Sequence, residues 1–144
     1  NNSMDTRALA SDLAEITDED VQQGRDAFGI GPGPVGILIG SLHADKKLDF
    51  LMEAAQHLRH YIPDFQLVIV GDGSQRAMVQ RAVQQANGLI HWLGPRIGRE
   101  KAMLLKMAKI MLNPGMVGLG ILDSFVAKLP MVTTVSDHHS PEIA

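Results

Sequence analysis

Cysteine is absent from all 144 residues. That excludes disulfides and thiolate metal sites, and it fits a reducing, cytoplasmic setting. Aromatics are scarce at 4% and nowhere interleaved with basic side chains, so the chain encodes no stacking platform for nucleic acid. Positive charge is not in excess: 13 Lys and Arg stand against 16 Asp and Glu, a formal net charge of −3. Such a balance argues against general affinity for nucleic acid or an anionic bilayer. No apolar run approaches the roughly 20 residues that cross a membrane. Nucleophile elbow, Walker lysine loop and H-E-x-x-H are all missing. The first residues, Asn1-Asn2-Ser3-Met4, carry no leader pattern and do not read as a natural start. The last, Ser140-Pro141-Glu142-Ile143-Ala144, read as a helix beginning, so a piece of something longer is expected.

What is present is a core. Hydrophobic residues make up 45%, enough for one domain of this length. Residues 1–16 are polar and weakly patterned and are expected to be a linker. The folded domain is expected over 17–144, truncated at its C-terminus. Thr17-Asp18-Glu19-Asp20 resembles a capping box and predicts a short helix ending near Phe28-Gly29. Five apolar runs then read as strands: 35–40, 65–70, 89–93, 110–112 and 130–135. Helical patterns fall between them, at about 47–60, 75–86, 99–107 and after the glycines near 118, the last burying Leu122, Phe125, Val126 and Leu129. Strands without polar alternation, each followed by an amphipathic helix, predict an α/β fold: a Rossmann-like parallel sheet with helices on both faces. Ligands in such folds bind outside the carboxyl ends of the strands. The loops that matter therefore start at Gly40, Gly71, Gly94, Asn113 and Thr134.

The most informative of these is Asn113-Pro114-Gly115-Met116-Val117-Gly118-Leu119-Gly120-Ile121-Leu122-Asp123. It reads as strand end, glycine turn and helix start, where free backbone N–H groups can hold a phosphate. Asp123, one turn in, sits at a reach suited to a ribose hydroxyl. Lys46, just past the first strand, can neutralise a phosphate, and Arg96 and Arg99 stand at the same edge. Gly71-Asp72-Gly73 reads either as a tight turn capped by Asp72 or as a close approach for a ligand. Gly31-Pro32-Gly33-Pro34-Val35-Gly36 fits G-x-G-x-x-G but precedes a strand, so it is a decoy. Asp18-Glu19-Asp20 suits a helix N-terminus better than a metal. His138 and His139 are adjacent and divergent, unsuited to a metal, but lie at the ligand edge. His57, His60 and His91 read as helix-surface or strand residues.

Taken together, these pieces resemble the C-terminal, donor-nucleotide-binding domain of family 4 retaining glycosyltransferases (glycosyl transferases group 1), which have the GT-B fold. Asn1 to Thr6 looks like the N-x-(I/V)-D-T segment entering that domain. Ile39-Gly40-Ser41-Leu42 and Asp45-Lys46-Lys47-Leu48-Asp49-Phe50-Leu51 resemble G-R-L…E-K-G-L-D-x-L. Leu67 to Gly73 matches L-x-I-V-G-D-G, and His91-Trp92-Leu93-Gly94 matches V-x-F-x-G. Pro114 to Pro130 is similar to P…G-x-G-L-x-x-x-E-A…G-x-P-V. 

The resemblance implies transfer of a sugar from a nucleoside-diphosphate sugar to an acceptor hydroxyl, with retention. It implies no cofactor and no metal. It also implies an N-terminal acceptor-binding GT-B domain as partner, cytoplasmic location and, for the full-length protein, room for peripheral contact with the inner face of the membrane. By position, Lys46 and the amides of Val117, Gly118 and Leu119 contact the diphosphate. Asp123 contacts the ribose, and Arg96-Ile97 frames the base. No catalytic residue is assigned. Two positions depart from the pattern: Ser41 replaces the arginine of G-R-L, and Gly115 replaces the first glutamate of E-x7-E. Those departures leave an alternative, a degenerate scaffolding domain of the same fold. A third reading, a GT-B-like sugar-nucleotide epimerase, fits the order of the pieces less well.

Overall fold

A computed structural model describes residues 2–43, 47–112 and 130–132. The elements run α1 (Asn2–Glu15), α2 (Asp18–Phe28), β1 (Val35–Ile39), α3 (Leu48–Tyr61), β2 (Gln66–Val70), α4 (Arg76–Gln85), β3 (Ile90–Trp92), α5 (Gly98–Met107), β4 (Ile110–Leu112) and β5 (Met131–Val132). The strands form one sheet in the order β3-β2-β1-β4-β5, parallel throughout. The order reverses between β1 and β4, the kind of switch point beside which open α/β sheets hold ligands.

The strands lack polar alternation because both faces are covered. Leu38, Leu67 and Ile69 pack on one face with Leu48, Leu51 and Ala55 of α3 and Val79 of α4. Ile37, Val68 and Val70 pack on the other with Leu9 of α1 and Ala102, Leu104, Leu105 and Met107 of α5. Neighbours along one strand thus serve opposite layers, as a two-residue side-chain period requires.

The helix at Thr17 begins as expected. Asp20 N–H donates to Thr17 Oγ1 at 3.1 Å, and Thr17 N–H donates to Asp20 Oδ2 at 3.0 Å. Gly29, at φ 72°, closes the helix in the left-handed conformation. The Thr17 hydrogen bonds, helped by Arg99 and opposed by slight desolvation, hold the Asp20 carboxyl below its ordinary value. The acidic run is therefore a cap, and Asp20 reaches Arg99 of α5 at 3.3 Å. Thr17→Ala is expected to lower unfolding free energy by about 1 kcal/mol, read from urea denaturation. An unchanged midpoint would mean that tertiary packing alone sets this terminus.

Residues 2–15 do more than their composition suggests. They are helical, and Leu9 and Ile16 are buried in the layer with α5. Lys106 Nζ of α5 donates to the carbonyls of Leu13 at 2.8 Å and Ile16 at 2.6 Å, satisfying acceptors at the end of α1. The fifth strand, expected over 130–135, is seen at Met131–Val132. The helix expected after the glycine turn lies outside the described residues.

Candidate functional site

The carboxyl ends of β1, β2 and β3 send three loops to one edge of the sheet, and backbone hydrogen bonds lace them together. Gly40 N–H donates to Val70 O at 3.0 Å, and Gly71 N–H to Gly94 O at 2.9 Å. Leu42 N–H donates to Asp72 O at 2.9 Å, and Leu42 O accepts from Gln75 N–H at 2.8 Å. Trp92 Nε1–H donates to Gly71 O at 2.8 Å. The rim is thus a stitched frame in which each loop holds its neighbour.

The two glycines of Gly71-Asp72-Gly73 serve that frame. A Cβ on Gly71 would stand 1.8 Å from Gly40 O, and one on Gly73 2.6 Å from Leu42 O. The close approach they permit is loop to loop. Asp72 Oδ1 accepts from Gly73 N–H at 2.8 Å and from Arg76 Nε at 2.9 Å. Arg76 also pairs with Oδ2. Arg76 first, then the Gly73 amide, holds the Asp72 carboxyl below its ordinary value against slight desolvation. Of the two readings of this turn, the structure supports the tight turn, although α4 itself starts after Gln75 with no side-chain cap.

Arg96 and Ile97 stand on the third loop. Arg96 donates through Nε to Leu93 O at 2.9 Å and through Nη1 to Glu100 Oε2 at 3.0 Å. Its guanidinium lies 5.2 Å from the centre of the Phe28 ring. Three partners fix it, so its contribution to a ligand is the shape of the loop it holds. Ile97 is 83% exposed although apolar. It borders a cavity of about 360 Å³ lined by Ala8, Leu9, Asp12, Ile97, Gly98 and Lys101. The part that α1 plays in this wall was not visible in the sequence, where residues 1–16 read as a linker.

Ser41 stands exposed on the first loop. Lys46, Val117, Gly118, Leu119 and Asp123 lie outside the described residues, as do Gly115, His138 and His139. Among the described residues no group of three or more His, Asp or Glu side chains converges to hold a metal, and no helix is long and apolar enough to cross a membrane. A broader depression, about 520 Å³, runs along one face of α3 beside Phe50, His57 and Tyr61. It lies on a single helix and away from the loops. The G-x-G-x-x-G stretch sits at the opposite, amino end of the sheet. There a Cβ on Gly33 would meet Asp64 O at 1.8 Å, and Gly31 N–H donates to Gln66 Oε1 at 2.9 Å. Gly33 thus packs on backbone and Gly31 on the Gln66 side chain, far from the ligand edge.

Residues 33–144 match the family described as glycosyl transferases group 1. The chain belongs to that family. One relative is an alpha-D-kanosaminyltransferase of Streptomyces kanamyceticus, 27% identical over 116 residues, or 79% of this chain and 28% of that protein. WaaG, a glycosyltransferase involved in lipopolysaccharide biosynthesis, shares the fold at a TM-score of 0.66 and 23% identity, over 91% of this chain and 36% of WaaG. HepE of Anabaena, solved with UDP and glucose, shares it at a TM-score of 0.65 and 18% identity, over 81% of this chain and 33% of HepE. The fold is that of one half of a GT-B glycosyltransferase. The chain spans about a third of the length of these relatives.

Proposed function

We propose that this chain is the donor-binding part of a family 4 glycosyltransferase. In this reading the enzyme moves a sugar from a nucleoside-diphosphate sugar to an acceptor hydroxyl with retention of configuration. The observation that carries the reading is the family match, which takes in the glycine turn and all three stitched loops. The solved relatives that bind UDP or a UDP-sugar, such as HepE, support a nucleotide sugar as the ligand.

The chemistry asked of this part is electrostatic. The leaving group is a nucleoside diphosphate, and charge grows on it as the glycosidic bond breaks. Donors fixed in advance around that charge lower the barrier without reorganising. Lys46 and the amides of Val117, Gly118 and Leu119 supply them here; Asp123 holds the ribose, and the loop at Arg96-Ile97 frames the base. No metal is assigned, and donor binding is expected to persist in EDTA. The acceptor is held by the N-terminal GT-B domain, so this chain alone is expected to bind donor and transfer nothing. The whole enzyme is assigned to the cytoplasm, with peripheral contact at the inner face of the membrane.

Calorimetry with UDP, GDP and ADP tests the reading. One of them is expected to bind. Asp123→Ala should weaken that nucleotide about tenfold while leaving pyrophosphate nearly untouched, because one ribose hydrogen bond is lost. Lys46→Ala should weaken both by about tenfold or more, because a charge-assisted contact goes. Equal losses for both ligands in Asp123→Ala would remove its ribose role. No binding of any nucleotide at millimolar concentration would leave the chain as a scaffolding domain of the same fold.

A further inference from the structure

We propose that His43 is a donor-binding residue whose Nε2–H donates to the diphosphate of the nucleotide sugar, with Ser74 fixing its ring. The proposal rests on the donor-binding reading above and adds a residue that reading does not contain.

The first argument is a charge inventory of the rim. A nucleotide sugar brings two negative charges to this edge. Yet Arg76 is paired with Asp72, Arg96 with Glu100 and Arg99 with Asp20. Each arginine near these loops is neutralised by a carboxylate, and Ser41 brings no charge at all. Lys46 is assigned above to the diphosphate; among the described residues of the first loop, the groups able to carry positive charge are His43, two residues beyond Ser41, and Lys47 at the loop's far end.

The second argument is geometry. Leu42 is held on both backbone sides, by Asp72 O and Gln75 N–H, so the residue after it is placed firmly. His43 Nδ1 lies 3.4 Å from Ser74 N and 3.2 Å from Ser74 Oγ. An amide N–H can only donate, so Nδ1 is the acceptor and the ring proton of the neutral form sits on Nε2. Nε2 has no partner among the described residues. The ring thus offers an N–H in its neutral form. On protonation, Nδ1–H can donate to Ser74 Oγ without the ring turning, and a full charge is added behind the same N–H. Among the described residues, the charged groups of the adjoining segments are Asp72 and Arg76, already paired, and Lys47 and Asp49 at the start of α3; Asp45 and Lys46 lie outside them.

The test is calorimetric titration of the chain with UDP-glucose, GDP-mannose and ADP-glucose from about pH 5.5 to about pH 8.5. The phosphates of these ligands keep their charge throughout, unlike the terminal phosphate of UDP. The nucleotide sugar that binds is expected to bind about tenfold tighter at the acid end. His43→Gln, which keeps a donor but cannot titrate, should flatten that profile while staying within about threefold of the parent at the alkaline end. Ser74→Ala removes the acceptor for Nδ1–H and keeps the backbone N–H, so it should shrink the gain at acid pH alone. A His43→Gln variant that keeps the parent's slope, or a parent with no slope, overturns the role of His43 while leaving donor binding intact. Failure of all three nucleotide sugars to bind at any pH overturns the donor-binding reading itself.

Discussion

Gly71→Ala is expected to cost about 3 kcal/mol of stability or more and, on the proposed donor-binding reading, to abolish nucleotide binding with it. Two penalties combine. Gly71 has φ 142°, a backbone conformation that side chains disfavour, and holding a residue with a Cβ there costs roughly 1–3 kcal/mol. The added Cβ would also stand 1.8 Å from Gly40 O. That atom is backbone, so no rotamer change relieves the overlap. The loops after β1 and β2 must separate, which strains the bonds from Gly40 to Val70 O and from Leu42 to Asp72 O. Gly94→Ala is the control. It has φ 69° but nothing within 4 Å of a Cβ, so only the conformational cost remains, about 1 kcal/mol. Urea denaturation of both variants, and titration of each with whichever of UDP, GDP and ADP the parent binds, separate strain from overlap. If Gly71→Ala matched Gly94→Ala in both, the rim would be a soft set of loops and not a stitched frame.

That frame also shows which features a sequence carries openly. Val35–Ile39 and Gln66–Val70 are legible because burial on both faces removes every polar residue but one, and an unbroken apolar run of strand length has few other uses. The capping box at Thr17 is legible because its partners lie three residues apart. What is hidden depends on residues far apart in the chain. α1 offers only Leu9 and Leu13, with Ile16 just past its end, as an apolar stripe, and it looks like a linker until α5 is there to cover them. The acceptors at its end are met by Lys106, some ninety residues later. The glycines of the second loop leave both a tight turn and room for a ligand open, because nothing local says that Gly40 O and Leu42 O fill the space. At the site, the position of Arg96 was readable, and so in principle was its pairing with Glu100, four residues on. Its stacking on Phe28 was not. The proposed carriers of phosphate and ribose, Lys46, Val117, Gly118, Leu119 and Asp123, rest on the sequence alone.

Gln66 is the polar residue within those runs, and Gln66→Leu is expected to cost on the order of 2–4 kcal/mol. Only 5% of Gln66 is exposed. Its Oε1 accepts from Gly31 N–H and faces His91 Nε2, both at 2.9 Å. Since an oxygen already accepting one N–H can only accept again, the His91 proton sits on Nε2. Leucine would fill the volume and leave two donors without an acceptor. 

The same contact sets a pH dependence. Burial pushes the His91 imidazole below its ordinary 6.5, with Arg59 adding and a backbone hydrogen bond at Gly88 opposing. The native state then binds fewer protons than the unfolded chain. The stability this contributes is complete above about pH 6.5 and is lost as pH falls through the folded value. Denaturation at about pH 8 and about pH 5.5 should show the parent weakening with acid. Gln66→Glu reverses the sign. A carboxylate accepts both N–H groups and favours imidazolium, raising the folded value, so its contribution grows as pH falls from 8 to 5.5. The stability gap between this variant and the parent should therefore close on acidification. Parallel pH profiles for the parent, Gln66→Glu and His91→Gln would show that His91 keeps one charge state throughout and that the Gln66 contact is a packing contact only.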